Sequence, residues 1–348
     1  MKLSQFSIEV PEKLIASYPC ENRDESRLMV LHRATGKIEH KCFKDIIDYF
    51  QQGDVIALND TKVFNALLLG TKEKTNAKVE VTLLRKLSET QHIWDTLVEP
   101  ARKIRIGNRI YFGNEELVAE VLDNTTSRGR TLNFLFNGTD EELLSIIDNI
   151  GHVPIPSIIK RKPEILDRQR YQTVYAQKQG ATVAPYAGLH FSHQLLKRLE
   201  LKGIDITQAT LFISINLFNV IEMEDLSKCK TDSEFCSLEE NTAQLLNNAV
   251  ENGKQICAVG VSTARALESF VSFPKKVKSG EKWTNFSPLS KQQFKICTSL
   301  VTNFHLQKTS PLVHAFAFGG QELMLEAYHI AIKEKYKFFV YGDSMLII

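Results

Sequence analysis

Lys78-Val79-Glu80-Val81-Thr82-Leu83-Leu84, followed closely by Trp94-Asp95-Thr96-Leu97-Val98, alternates apolar and polar residues at a period of two. Successive side chains of a strand point to opposite faces, so both segments read as strands with one buried face. Segments of similar texture flank them at 55–58, 109–112, 118–122 and 131–136. The turn formers Phe112-Gly113-Asn114 and Thr126-Ser127-Arg128-Gly129 punctuate the series. Many short strands at close spacing predict a small barrel.

Outside this stretch the period changes. Thr139-Asp140-Glu141-Glu142 has the form of a capping box opening a helix that stops near Gly151. Ser192 can cap a helix running to Leu201, ended by Gly203 and followed by a strand over 204–215. Ser237-Leu238-Glu239-Glu240 reads as another capping box, with Gly253 at the far end of its helix. A strand over 254–261 feeds a helix over 262–270; then come a strand at 297–302, a long helix over 321–335 and a last strand from Lys337. Strands alternating with helices predict an α/β/α layered domain. The fold expected is α/β, with the layered domain formed by residues 1–56 and 148–348 and a small β-barrel domain, 57–147, inserted in it.

The chain has 348 residues, 43% of them hydrophobic, which is enough to bury a core without disulfides or metals. Its formal net charge of +2 supplies no global field, so any RNA contact must rest on a local patch. Cys20, Cys42, Cys229, Cys236, Cys257 and Cys297 form no C-x-x-C pair, which argues against a zinc site and for reduced thiols. The start, Met1-Lys2-Leu3-Ser4-Gln5-Phe6-Ser7, turns polar too soon for a signal peptide. No apolar run is long enough to span a bilayer. A cytoplasmic monomer without metal or membrane partner is expected.

Three loops pair chemically useful side chains with aromatic neighbours. In Ala184-Pro185-Tyr186-Ala187-Gly188-Leu189-His190-Phe191, Pro185 fixes φ, Gly188 tolerates unusual backbone angles, and His190 stands just before a helix. Histidine is suited to proton transfer near neutral pH, although a histidine in a tight turn can also serve only as a hydrogen-bonding strut. Thr302-Asn303-Phe304-His305 follows a strand end, where open α/β sheets place ligands; His305 could equally be a half-exposed strand terminus. The chain closes on Tyr341-Gly342-Asp343-Ser344.

Weaker signals lie elsewhere. Gly260-Val261-Ser262-Thr263-Ala264-Arg265 is glycine, then helix start, with hydroxyls and a guanidinium fit for an anion, or else a plain cap with Arg265 on a solvated face. Asn59-Asp60-Thr61-Lys62 can bind a ribose or form an Asx turn. Lys160-Arg161-Lys162, with Arg168 and Arg170 beside Tyr171 and Tyr175, interleaves cations and aromatics, as RNA contacts do and as solvated charge runs also do. No H-E-x-x-H, P-loop or G-x-S-x-G occurs.

Several of these segments occur together, in order, with Leu14-Ile15-Ala16-Ser17-Tyr18-Pro19, Arg23-Asp24-Glu25-Ser26-Arg27-Leu28 and Gly151-His152-Val153-Pro154-Ile155-Pro156. As a set running the length of the chain, they resemble the S-adenosylmethionine:tRNA ribosyltransferase-isomerase family of queuosine biosynthesis. The resemblance implies an α/β/α sandwich with a small barrel. It implies transfer and isomerisation of the ribosyl group of S-adenosylmethionine onto a 7-deazaguanine in the tRNA anticodon loop. The products would be epoxyqueuosine in tRNA, adenine and methionine, with S-adenosylmethionine a co-substrate and no tightly bound cofactor.

On this resemblance His190 and His305 are the candidate proton carriers, with Asp343 as orienter or counter-charge. Arg265 and the amides near Ser262 would hold the methionine carboxylate, while Asp60 and Glu234 would take ribose hydroxyls or the amine. Thr61, Tyr171, Gln172, Tyr175, Gly188, Ser233 and Asn303 complete the substrate contacts implied. Lys160, Arg161, Arg168 and Arg170 are the implied tRNA contacts.

The chain departs from the family pattern at named places. Ser214-Ile215-Asn216-Leu217-Phe218 stands where the family has Gly-Leu-Gly-Thr-Phe, and Asp232-Ser233-Glu234 where it has His-Ser-Glu. Lys62 and Leu67 each replace an arginine, and Asn285-Phe286-Ser287-Pro288-Leu289-Ser290 replaces an aromatic, proline-containing loop. A lost glycine holds the backbone farther from a ligand, and aspartate for histidine changes both charge and proton transfer. The alternatives are a scaffold that binds RNA or nucleosides without catalysis, or one with a changed substrate.

Overall fold

The computed structural model describes residues 2–88, 90–215, 220–229, 233–288 and 293–348. These fall into two compact units: Met1–Lys62, Ile158–Arg161 and Gln172–Ile348 in one, Val63–Ser157 and Lys162–Tyr171 in the other.

Val55–Asn59 organises the first unit. All five residues are buried, the mark of a parallel strand covered on both faces. It pairs in parallel with Asp205–Leu211 on one side and Ile256–Val259 on the other. Ile256–Val259 pairs in parallel with Ser299–Asn303. The full nine-stranded order is Gly280–Thr284, Glu234–Leu238, Asp205–Leu211, Val55–Asn59, Ile256–Val259, Ser299–Asn303, Ser344–Ile347, Arg27–Leu31, Ile38–Cys42. Both edges are antiparallel.

Period-two alternation sends Leu28, Val30, Ile56, Leu58, Cys257, Val259, Val301 and Leu346 to one face, against Phe43, Phe191, Leu195 and Leu199. Leu195 and Leu199 lie four residues apart on helix His193–Leu201, whose cap Ser192 accepts from the Leu195 N–H at 3.0 Å. Burying each leucine contributes on the order of 1.5–3 kcal/mol. Met29, Ala57, Ala258, Leu300 and Met345, on the opposite face, are buried as completely. A sheet buried on both sides is the centre of an α/β/α sandwich.

The second unit is a closed six-stranded barrel of Gly129–Phe134, Ile93–Glu99, Lys78–Lys86, Leu67–Lys72, Arg109–Phe112 and Leu117–Asn124. Leu68, Val81, Leu83, Ile110, Phe112, Ala119 and Phe134 fill its interior, as side chains do in small barrels. A Cβ at Gly70 would lie 2.6 Å from the Phe112 ring, so that wall position admits only glycine. Helix Asp140–Ile150 adds Leu143 and Ile147 to this core and begins with the expected capping box: Thr139 Oγ1 accepts from Glu142 N at 3.3 Å, and Thr139 N donates to the Glu142 carboxylate at 2.8 Å.

Several expectations are corrected. The 55–58 segment is a strand of the open sheet, and the barrel strand in its place is Leu67–Lys72. Leu67-Leu68-Leu69-Gly70 has no alternation to betray it. The barrel unit begins after Lys62 and runs on to Ser157, with Lys162–Tyr171 also grouped in it. Ser237 lies inside strand Glu234–Leu238, and the following helix starts at Glu240 without a side-chain cap. Helix Ser310–Gly319 has no sequence forecast because it is apolar all round, and it is almost wholly buried. The last strand is Ser344–Ile347. Among the described residues no helix is long and apolar enough to cross a membrane.

Candidate active site

Three parallel strands end side by side at Asn59, Val259 and Asn303. Open α/β sheets bind ligands just outside such carboxyl ends. The residues beyond them, Gly260, Val261, Ser262 and His305, line a cavity with Thr302, Asn303, Ile213, Pro311 and the turn Ala184, Pro185, Tyr186, Ala187. It measures about 30 Å³, room for one water, so a nucleoside enters only if the walls part.

His190 is buried beside this cavity but is not one of its lining residues. Asn303 decides its state. The Asn303 Nδ2 donates to Phe339 O at 2.8 Å and Val340 O at 3.2 Å, leaving Oδ1 to face His190 Nε2 at 3.2 Å. An oxygen acceptor there requires an N–H, so the neutral ring carries its proton on Nε2. Nδ1 then accepts from the Ser26 hydroxyl at 2.7 Å. Both ring nitrogens are thus spent within the protein. Burial is the main cause that lowers the His190 pKa to about 4.

His305 differs. Its Nε2 lies 2.8 Å from Thr302 Oγ1, and its main-chain N–H donates to Tyr328 OH at 2.8 Å. Nδ1 is buried with no partner among the described residues. Burial pushes the pKa to about 3, which keeps the ring neutral. Of the two candidate proton carriers, His305 lines the cavity and His190 does not.

Asp343 braces the main chain. Its Oδ1 accepts from Arg27 N at 2.8 Å and its Oδ2 from Lys337 N at 2.7 Å, while burial raises its pKa. Among the described residues no hydrogen bond joins it to either histidine.

Arg265 is fully buried, so the solvated-face alternative is overturned. One guanidinium nitrogen, Nη1, pairs with Glu234 and Nε donates to Phe286 O at 3.0 Å. The other carboxylate oxygen of Glu234 accepts from Ser214 N at 2.8 Å. Arg265, assigned to the methionine carboxylate, and Glu234, assigned to ribose hydroxyls or the amine, are therefore bonded to each other. Ser262 lies on the cavity wall, its hydroxyl 3.4 Å from Asn59 Nδ2. Ser233 is exposed.

Asp60 is buried, accepting from Thr210 Oγ1 at 2.7 Å, and burial raises its pKa. Next to it Thr61 N donates to Asn59 Oδ1 at 3.2 Å, as an Asx turn does, and the buried Thr61 hydroxyl has no partner among the described residues. Gly188 is needed for space rather than for its backbone angles: its φ is not in the left-handed region, but a Cβ would fall 2.1 Å from Tyr175 OH. Tyr175 is itself buried, and burial raises its phenol pKa. Gln172 is half-buried, and Tyr171 is buried in the barrel unit.

The basic candidates are largely engaged. Lys160 pairs with Glu12; Arg161 donates to Ser17 O at 2.9 Å and stacks 4.3 Å from the Tyr18 ring centre. Arg168 donates to Gly151 O at 3.0 Å, closing the end of helix Asp140–Ile150, and Arg170 is half-buried. Asn216, Leu217, Phe218, Asp232, Leu289 and Ser290 lie outside the described residues. Among those described, no group of three His, Cys, Asp or Glu could hold a metal.

A model of the family described as "Queuosine biosynthesis protein" matches residues 3–347. A protein of Amoebophilus asiaticus named S-adenosylmethionine:tRNA ribosyltransferase-isomerase is 60% identical over 348 residues, covering 100% of both chains. A protein of Cytophaga hutchinsonii with the same name is 52% identical, again over 100% of both. Among solved structures, one from Thermotoga maritima described as an S-adenosylmethionine tRNA ribosyltransferase has a TM-score of 0.54 at 31% identity, covering 99% of this chain and 100% of that one.

Proposed function

The chain belongs to the queuosine biosynthesis protein family, and from that premise we propose that it is an S-adenosylmethionine:tRNA ribosyltransferase-isomerase. It moves the ribosyl group of S-adenosylmethionine onto a 7-deazaguanine in the tRNA anticodon loop and rearranges it, releasing adenine and methionine. S-adenosylmethionine is consumed as a co-substrate, and tRNA as a substrate puts the enzyme in the cytoplasm.

The observation that carries this reading is the Nδ1 of His305, unengaged among the described residues, on a neutral ring at the carboxyl ends of the parallel strands. The carbon next to a sulfonium is acidified by the adjacent cation, so a neutral imidazole held away from water can remove its proton. With Nε2–H donated to Thr302 Oγ1 and that hydroxyl turned to Asn303 O at 3.5 Å, Nδ1 presents its lone pair. Arg265 and Ser262 are the groups we assign to the amino-acid end of the donor, and Asp60 to a ribose hydroxyl. Lys160 is exposed and suits a tRNA phosphate.

The test is release of adenine when purified protein is incubated with S-adenosylmethionine and tRNA bearing the deazaguanine precursor. Adenine in proportion to modified tRNA is expected. Bound tRNA without adenine would instead indicate a binding protein.

A further inference from the structure

Trp283 lies on Gly280–Thr284, the strand at one edge of the nine-stranded sheet, and is 55% exposed. The antiparallel register sets it directly opposite Phe235, and Phe235 O accepts from Phe212 N at 3.0 Å at the end of the next strand. The three side chains therefore fall on one face of the sheet, in a row across its strands. Phe212 and Phe235 stack with ring centres 5.5 Å apart and planes at 23°, and Trp283 meets Phe235 edge to face at 6.0 Å. A Cβ at Gly180 would fall 2.8 Å from the Phe212 ring, so strand Lys178–Ala181 lies close against the inner end of the row.

The row starts at the candidate site. Leu211, just before Phe212, makes two hydrogen bonds with the Asn59 side chain, at 2.9 and 3.1 Å, and Ile213, just after it, lines the cavity. Phe235 follows Glu234, the partner of Arg265. Trp283 stands two strands farther out, about 9–10 Å at the usual strand spacing. The other face of these strands is closed: Leu211 and Cys236 are buried there, and the Lys282 ammonium lies 4.7 Å from the Phe270 ring centre. Glu281, two residues before Trp283, shares the aromatic face and is exposed, so that face does not attract phosphate. What it offers is ring planes.

An indole this exposed keeps a large apolar area in water, the mark of a surface that another molecule covers. Nucleobases stack on such rings without needing a charge, and unpaired bases are the ones whose faces are open. We propose that Trp283 is the outer plate of a stacking platform for an unpaired base of the anticodon loop, adjacent to the nucleotide being modified. The platform rests on tRNA being the substrate, and it makes an open loop a condition for tight binding, because a base held in a stem presents no face to Trp283.

The chain has two tryptophans, and the other, Trp94, is buried in the barrel core. A synthetic anticodon stem–loop RNA titrated into the protein should therefore quench fluorescence through Trp283. The quench should vanish in Trp283→Phe, whose ring still stacks, and a duplex of the same stem without its loop should give none. W283A should bind the stem–loop roughly tenfold or more weakly, the scale of one lost stacked base, while W283F stays within a few-fold. The slope of affinity against salt should not change, since no phosphate contact is removed. Undiminished quenching in W283F, equal quenching by the duplex, quenching by S-adenosylmethionine alone, or a W283A affinity equal to the wild type would each overturn the platform. If W283A does not fold, the quench in wild type and W283F decides. Unaltered RNA affinity in W283A with normal adenine release rejects the platform and keeps ribosyl transfer; loop-dependent quenching with no adenine release does the reverse.

Discussion

His190 and His305 look alike in the sequence, since each sits in a short loop among aromatics, and composition cannot rank them. The distinction rests on Asn303, whose amide is locked by two main-chain carbonyls and so fixes the proton of His190 on Nε2. Ser26 completes that lock, and nothing in the spacing of Ser26 and His190 announces the contact across 164 positions. His305→Gln should lower adenine release by about 10²- to 10⁴-fold, the usual worth of a general base. Its affinity for S-adenosylmethionine should stay within a few-fold; equal turnover in mutant and wild type would remove His305 as the base. Ser26→Ala should instead cost about 1–3 kcal/mol of stability by stranding a buried nitrogen. In urea titrations its midpoint should fall, whereas turnover per folded molecule and its pH profile should match the wild type. A displaced profile would return His190 to the chemistry.

At the scale of the element, local chemistry was legible wherever a side chain closes its own helix or alternates along its own strand. Thr139 and Ser192 cap as their neighbours suggest, and the barrel strands around Val81 and Leu97 keep their period. Illegible were elements whose environment is supplied from far away. Val55–Asn59 is apolar over its first four residues and buried throughout, so only its neighbours at Asp205–Leu211 and Ile256–Val259 reveal an open sheet. Gly188 belongs to the same class: its turn suggested backbone freedom, but the reason for glycine is the Tyr175 hydroxyl 2.1 Å from any added Cβ. Gly188→Ala should therefore destabilise by about 1–3 kcal/mol through overpacking. Because Tyr175 OH has no partner among the described residues, Tyr175→Phe alone should cost little. Combined with Gly188→Ala, it should recover part of the loss in thermal melts, and strictly additive losses would contradict the steric account.

For the whole molecule, burial of titratable rings couples folding to pH. His190, His305 and His314 all have pKa values below the ordinary 6.5, each chiefly through burial. Below pH 6.5 the unfolded chain takes up protons at these positions while the folded chain does not, so protonation favours unfolding. Stability should thus rise with pH through the window from about 4 to 6.5 and be lost as pH falls through it, by up to about 1.4 kcal/mol per pH unit for each ring. Asp60 and Asp343 act in the opposite sense: burial raises their pKa values, so the folded chain holds those protons more tightly from pH 3.8 upward and offsets part of the loss at the acid end. Urea midpoints at pH 7 and pH 5.5 measure the balance, and the lower value is expected at pH 5.5. His314→Leu removes one buried ring, so its stability should fall less steeply with acid, by about one proton's worth of slope. Parallel slopes in variant and wild type would mean that His314 is protonated in the folded chain, a state that its burial opposes.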